Sequence, residues 1–582
     1  MKNAGTVAQQ DKNKATQRQY PMTSILFKRG PLLALSSLSS LLALTALSAE
    51  AQQIPNAGSL LQQNQLPKPP TASPNGTGLT IEQGNGTALP ASAPFQVSRI
   101  EIAGNTQFDS ATLHALVADA EGKSLTLTQL GQTAERITAW YHDHGFPLAR
   151  AVIPAQAVKN GVVHLLVIEA RYSQIKLDNH SRVDSALLNA ALSPLQSGQQ
   201  IEQGPLDHSL LLLSDIPGVT PNATLKPGDA VGTSDLDIGV TTDQAVTGNV
   251  AADDYGNRYT GRVRLGGTVN VIDPLHHGDV LSVNVLTTGS DMNYGRAGYD
   301  ILLNGSGTHL GGAYSAMHYT LGDTLSALDG HGNADLASLW IKHPFIRSRS
   351  VNLYGQLEYD HKVLKDDFGA TGIETDRHLD EITASLIGDW RDASGVNSWN
   401  VALTQGRVEF DDTAAQLADA ATAKTQGSFT KWLANLNREQ SINQGNTVYF
   451  ALSTQWSNTN LDASEKMVAG GAYTVRAYDM GVLSGDNGVL GTIEWRHDFG
   501  QVAGGQTQGL VFFDSEHLTI DQAAWSAGPN SANLSGAGVG VNWYGPARSV
   551  IKASVAAPVG SKPGLLATRS SARGWIELDM AF

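Results

Sequence analysis

Apolar and polar residues change their rhythm twice along this chain. From about Val246 to Phe582 they alternate one by one. SVNLYGQLEY sets Val351, Leu353, Leu357 and Tyr359 against Asn352, Tyr354, Gln356 and Glu358. GTIEWRHDF sets Ile493, Trp495 and Phe499 against Thr492, Glu494, Arg496 and Asp498, and GRVRLGGTVNV sets Val263, Leu265, Val269 and Val271 against Arg262, Arg264, Thr268 and Asn270. A period of two sends successive side chains to opposite faces of a strand, and no long helical period interrupts it.

Between 95 and 243 the two periods mix. FQVSRIEIAG (95–104) alternates as a strand through Val97, Ile100 and Ile102 and stops at Gly104-Asn105. Asp109 then caps a helical stretch carrying Leu113, Leu116 and Val117. A second helix is predicted from about Thr126 to His144, with Leu130, Ala134, Ile137 and Tyr141 at spacings of three and four. AVIPAQ (151–156) and VVHLLVIEA (162–170) follow as strands joined through Asn160-Gly161. The same strand, helix, helix, strand, strand order then recurs. It runs from Ile175 through helices at 184–192 and 205–214, a Pro217-Gly218 break, and strands at 223–228 and 233–242. This is an internal repeat, with small modules at 95–172 and 173–243.

The first residues carry another pattern. Lys28 and Arg29 precede an apolar run from Pro31 to Leu47, and Ala49-Glu50-Ala51 follows as a small-x-small cleavage site. That order predicts a secretory signal peptide over 1–51, with Met1 and Met22 both open as starts. Residues 67–94, rich in Pro, Gly, Asn and Thr as in PKPPTASPNGTG, read as an extended, flexible linker. Within 52–66, NAGSLLQQNQ places Leu60 and Leu61 among helix formers; a short helix and an unstructured arm fit equally well.

A soluble sandwich also buries one face of each strand, so alternation alone does not decide the fold of 244–582. Three features favour a transmembrane barrel. The strands recur without a helical layer, the polar faces carry charges of both signs, and the chain ends on an alternating strand, WIELDMAF. There Leu578, Met580 and Phe582 share one face, and a terminal Phe is the form in which outer-membrane barrels reach their assembly machinery. Sixteen antiparallel strands of ~10 residues use ~160 residues and leave as many for turns and loops. The expected fold class is therefore α+β modules followed by an all-β barrel of sixteen strands.

Composition narrows the function. Charged residues make up 16%, against the ~25% usual for soluble domains, as expected when every second barrel residue faces lipid. Cysteine is absent, which excludes disulfides and thiolate chemistry. The net charge of −15 becomes −19 once the leader is removed, since it holds six basic residues against Asp11 and Glu50. Such a chain is a poor partner for nucleic acid. His142-Asp143-His144 lacks a third ligand at a suitable spacing and reads as a helix C-terminal turn. There is no GxxxxGK[ST], HExxH or GxSxG, so no catalytic residue, metal site or cofactor is expected.

Leader, LL-containing segment, linker, two modules and barrel together resemble the outer-membrane transporters of two-partner secretion, the TpsB or ShlB/FhaC/HecB-type haemolysin secretion/activation proteins. AGSLLQQ (57–63) resembles the family's plug helix, GFPLARAVIPAQAVKNGVVHLLVIEARY (145–172) the closing strands of its first POTRA (polypeptide-transport-associated) module, and DDYGNRYTGRVR (253–264) its opening barrel strands. TVRAYDMG (474–481) is similar to the family's VRGY/F motif at the tip of a loop folded into the lumen. The family's FxDxG wall motif matches VFFDSEHL (511–518). The resemblance implies an Arg476–Asp514 pair, with Tyr478 and Phe512 beside it. Ala477 and Glu516 stand where the family has glycine, and Ala170 where it often does. An alanine tolerates positive φ poorly, so a differently bent loop tip is expected.

The resemblance further implies a periplasmic location for the POTRA modules and a barrel in the outer membrane of a Gram-negative bacterium. The partner would be a large secreted adhesin- or haemolysin-like exoprotein, which the transporter exports, with its activation left open. An insertase-like assembly factor is the alternative, though such relatives typically carry more POTRA modules. A small-solute pore and an enzyme housed in a barrel fit less well.

Overall fold

The structure, a computed structural model, describes residues 54–65, 71–82 and 89–582. The signal-peptide expectation lies outside the described residues.

The first module folds where the mixed periods place it. Asp109 caps a helix Ser110–Ala115 through the Thr112 amide, and Thr126 opens a helix Leu127–Asp143 with a capping box closed by Gln129. Their apolar faces, through Leu113, Leu130, Ile137 and Tyr141, cover a three-stranded sheet. In it Arg99–Ala103 runs parallel to Val162–Ile168 and Arg150–Val152 antiparallel to it. The strand expected over 151–156 stops at Val152, before the ladder would meet Pro154. Asn160 and Gly161 both have positive φ in the turn. His142 and His144 end the helix, bonding the Ala149 and Trp140 carbonyls.

A carboxylate locks this module. Glu169 accepts from the amides of Thr106 (2.8 Å) and Gln107 (3.0 Å), from the Tyr141 hydroxyl (2.8 Å) and from the Thr106 hydroxyl. Burial pushes the Glu169 carboxyl up, but these four hydrogen bonds outweigh it and hold it below the ordinary value of 4.5. Its stabilisation is therefore complete above pH 4.5 and fades as pH falls below that value. In the full-length protein, Glu169→Gln is expected to speed hydrogen exchange of the 105–108 amides about tenfold at neutral pH (~1.4 kcal/mol) and to flatten its acid dependence. Unchanged exchange would refute the lock.

The second module starts earlier than expected. Its first strand, Arg171–His180, begins inside the segment assigned to module one, and Ala170 and Tyr172 already belong to its core. Helices Ser185–Leu192 and Gln203–Ser214 pack on strands Val219–Pro227 and Thr233–Thr242. A fourth strand is unexpected. Leu79–Ile81, within the supposed flexible linker, runs parallel along Val219–Pro227 with Leu79 opposite Ala223 and Ile81 opposite Leu225.

Among the described residues, sixteen strands from Val246–Asp253 to Arg573–Ala581 form a closed antiparallel barrel. It is sealed by Asn249–Asp253 pairing with Glu577–Ala581. The two-faced pattern sorts as read: Val351, Leu357, Tyr359, Ile493, Trp495 and Phe499 are exposed on the outer face, while Glu494 and Asp514 are buried inside. Leu578, Met580 and Phe582 lie exposed on that outer face, in the last strand and just past it. The longest connections, 411–426 and 458–486, start from the end away from the second module.

Two segments depart from expectation. DDYGNRYTGRVR is not a pair of strands but the connection between them, with only Asp253 and Arg264 in the ladder. Gly261 at φ +95 breaks the alternation, and Arg258 and Arg262 bond carboxylates of other loops. A helix Thr413–Ala421 also interrupts the strand pattern, capped by Asp412 on the Ala414 and Ala415 amides.

Candidate functional site: a plugged lumen and its inward loop

The chain between Ser457 and Asn487 turns back into the barrel rather than out of it. A hairpin of Met467–Ala469 with Leu483–Gly485 stiffens it, and its tip carries Val475, Ala477 and Tyr478, all buried with Phe512, Leu510 and Leu534 of the wall. Arg476 reaches the wall from this tip. Its Nε and Nη2 donate to both oxygens of Asp514 at 2.9 and 2.8 Å, and its Nη1 donates to Glu494 at 2.6 Å. The guanidinium lies 3.4 Å over the Phe512 ring, and the Trp575 indole donates to the Arg476 carbonyl at 2.7 Å. A planar fork can bridge two carboxylates and stack on a ring at once; an ammonium cannot.

The replacements at the family's glycine positions resolve differently. Ala477 is not in the left-handed region, so no strain arises, and its methyl fills space opposite Gly536, where a Cβ would approach to 2.4 Å. Glu516 is fully buried, and neither of its oxygens has a hydrogen-bond partner among the described residues.

Ala57–Asn64 is a helix inside the lumen. Asn56 and Ser59 form a capping box, and the Ala57 amide donates to Asp366 at 2.6 Å, placing a carboxylate at the positive helix end. Leu60 and Leu61 are buried among Met292, Met317, Tyr319, Leu364 and Leu379 of the wall and Leu461 of the loop. Gly58 permits the closest approach, since a Cβ there would lie 2.8 Å from the Ser464 amide. Helix and loop also share a charge network. Arg377 bridges Asp366 (2.9 Å) and Asp462 of the loop (2.5 Å), while Glu465 receives Lys362 and Lys431. Lys466 joins Asp486 to Asp521.

Below the helix the chain leaves along the rim. The Ser73 amide and hydroxyl donate to Asp389 at 3.0 and 2.8 Å, and Arg347 donates to the Pro74 carbonyl at 2.8 Å. Arg347 simultaneously grips Asp215 of the second module, and Arg349 grips Asp207 and Thr77. The rim thus fixes tether and module together.

The haemolysin secretion/activation family ShlB/FhaC/HecB matches residues 232–543, and the ShlB-type POTRA domain matches 95–170. The chain belongs to this family. It is an outer-membrane transporter of two-partner secretion, with its POTRA modules in the periplasm. Similar relatives include the heme/hemopexin transporter protein HuxB of Haemophilus influenzae strain 86-028NP, 24% identical over 80% of this chain and 84% of that one. The outer membrane transporter CdiB of Escherichia coli O6:K15:H31 is 25% identical over 78% of this chain and 77% of its own. Among solved structures, CdiB from Escherichia coli superposes with a TM-score of 0.65 at 20% identity, covering 94% of this chain and 98% of that one. BamA from Haemophilus ducreyi lacking POTRA domains 1–3, at 13% identity and a TM-score of 0.52, shares the fold.

In this TpsB transporter, then, Arg476, Tyr478, Phe512 and Asp514 meet at one place on the wall, and Leu60 and Leu61 meet the opposite wall through the helix. Leu578, Met580 and Phe582 are remote from both, on the lipid face. Sequence reasoning missed Glu494 as the third member of the Arg476 cluster and missed the Arg377–Asp366–Asp462 bridge. Alternation had put Glu494 on the inner face; what it lacked was the strand neighbour.

Proposed function

We propose that the transporter is a passive conduit. A large adhesin- or haemolysin-like exoprotein, unfolded in the periplasm, presents its N-terminal secretion domain to the POTRA modules, crosses the barrel and folds outside. The carrying observation is the lumen itself: a closed barrel held shut by a short helix on a tether and by an inward loop pinned through Arg476. Leaving of the helix opens a route along the wall, and the Arg476 cluster keeps the loop in register while the cargo passes. Folding of the cargo outside makes return unfavourable, so no catalytic residue, cofactor or metal enters the scheme. Lipid meets the outer face, and the closing strand through Phe582 serves recognition by the barrel-assembly machinery. The chain's charge of −15 argues against a nucleic-acid partner. An assembly-factor role finds less support, because two modules precede the barrel among the described residues.

Deleting the transporter and comparing proteins in the culture medium tests the reading. A large exoprotein is expected to disappear and to return on complementation; an unchanged medium refutes export.

A further inference from the structure

Where the barrel meets the second module, the inner wall keeps a cavity whose unused hydrogen-bonding capacity is cationic. It measures ≈ 640 Å³, within the ~300–1,000 Å³ of ligand pockets. One side is the barrel wall from strand Met292–Leu302 to strand Ile373–Arg391; the other is the tether at 71–74 and the end of helix Gln203–Ser214. The carboxylates lining it are all engaged. Asp215 holds Arg347 at 2.6 and 2.8 Å, and Asp300 is bonded by His309 at 2.7 Å and Trp340 at 3.1 Å. Asp389 accepts from the Ser73 hydroxyl at 2.8 Å and from Asn352 at 2.9 Å, and Glu358 accepts from Gln356 at 2.9 Å. The arginine and lysine are not engaged in this way. Arg296 and Lys342, both half-buried, form no ion pair and donate no hydrogen bond among the described residues. They face rings instead: the Arg296 guanidinium stands 5.9 Å from the centre of Trp340, and the Lys342 ammonium 4.7 Å from that of Tyr354. Other inward cations of the wall, such as Lys362, Arg377, Lys431 and Arg476, each hold a carboxylate.

We propose that Arg296 and Lys342 form a receiving site for acidic side chains of the exported protein, entered beside the tether as an extended segment passes from the second module into the barrel. A ring under a cation is attractive but leaves its N–H donors open. A carboxylate completes them with charge-assisted hydrogen bonds, two at once on the Arg296 fork. The space already suits an extended polypeptide, because tether residues 71–74 run through it without helix or strand. The site also lies where such a hold has a consequence. Arg296 shares the inward face of its strand with Met292 and Tyr294, which belong to the cluster that seats the plug helix. Gly298 lets the guanidinium lie flat on that wall, since a Cβ there would stand 3.3 Å from it. Cargo held on the pair therefore waits beside the plug seat at a raised effective concentration.

The proposal rests on the secretion reading, and its test separates the two. Purified full-length protein in detergent at low salt is titrated into a fluorescein-labelled Gly-Ser-Asp repeat peptide, with Gly-Ser-Asn and Gly-Ser-Lys repeats and free glutarate as comparisons. The Asp repeat is expected to bind at least tenfold more tightly than the Asn repeat, with the preference shrinking as salt rises. Arg296→Gln with Lys342→Gln is expected to abolish that preference, and Arg296→Lys to keep most of it. Each single Gln variant is expected to lose at least threefold, which keeps the test open if the double variant fails to assemble. An unchanged preference in the Gln variants, or tighter binding of the Lys repeat, overturns the site. Displacement by glutarate at the peptide's own carboxylate concentration overturns the polypeptide as its ligand. In producing cells, the Gln variants with unchanged heat-modifiable migration are expected to release the large exoprotein at least threefold more slowly in a pulse-chase. A wild-type rate overturns the proposal while leaving the secretion reading intact; an unchanged medium on deleting the transporter overturns the secretion reading.

Discussion

Arg476→Ala is expected to lower cargo in the medium at least tenfold while leaving the barrel folded, read as unchanged heat-modifiable migration on gels. The barrel does not depend on Arg476 for closure, because its ladder is complete without the inward loop. The loop does depend on it. Without the guanidinium, Asp514 keeps only the Thr492 hydroxyl at 3.0 Å and the residue-476 amide at 3.2 Å, while Glu494 still has Arg496 at 2.6 and 2.8 Å. Removing one partner of a buried pair leaves an uncompensated charge and costs about 3–5 kcal/mol. Asp514 is fully buried, so the cost is borne by the loop tip, which relaxes away from the wall. Arg476→Lys keeps the charge but not the fork over Phe512, and should fall between wild type and Ala. Combining Arg476→Ala with Asp514→Asn should do less harm than the sum of the two changes, because the orphaned carboxylate is gone. Wild-type export by Arg476→Ala would sink the assigned role of the pair.

Why that pair was legible in the sequence and its neighbours were not has a physical explanation. Arg476 and Asp514 sit in short motifs that resemble those of the family, and Phe512 and Asp514, two residues apart, fall on one face of a strand by alternation. Glu494 lies opposite Phe512 across the ladder, and that register depends on a bulge between Asp498 and Gly500 that no periodicity announces. The strand Leu79–Ile81 is three residues long, too short to show a period, and its partner lies some 140 residues away. The misread segment 253–264 shows the reverse hazard. Arg262 and Arg264 alternate with Val263 as a strand would, yet Arg262 reaches Asp479 of the inward loop at 2.6 Å, so a loop contact imitated a wall. The helices of the modules were legible because caps and a 3.6 period coincide there. Thr413–Ala421 had a cap and Ala-rich propensity but no apolar face to declare it.

The second large effect concerns the plug. Leu60→Asp with Leu61→Asp is expected to raise the open fraction of the pore in planar bilayers at least tenfold and to admit large antibiotics into cells that produce the variant. Each leucine is almost completely buried, and full burial of such a side chain contributes roughly 1.5–3 kcal/mol. Two aspartates would set charges among the sulfur and aromatic groups of Met292, Met317 and Tyr319, and Arg377, the cation beside the helix, is already paired with Asp366 and Asp462. What remains is polar and local: the Ala57 amide on Asp366, and Gln63 accepting from Asn257 at 3.0 Å. An eight-residue helix is marginal in water, so once its apolar anchor is lost it has neither a host surface nor intrinsic stability to keep it in the lumen. The loop should stay in place, because its ties through Arg476, Lys466 and Glu465 do not involve the helix. That separates the two variants: the plug mutant opens the pore and keeps the loop, whereas Arg476→Ala frees the loop tip and keeps the plug. A double aspartate variant with wild-type conductance would show that the helix does not close the pore.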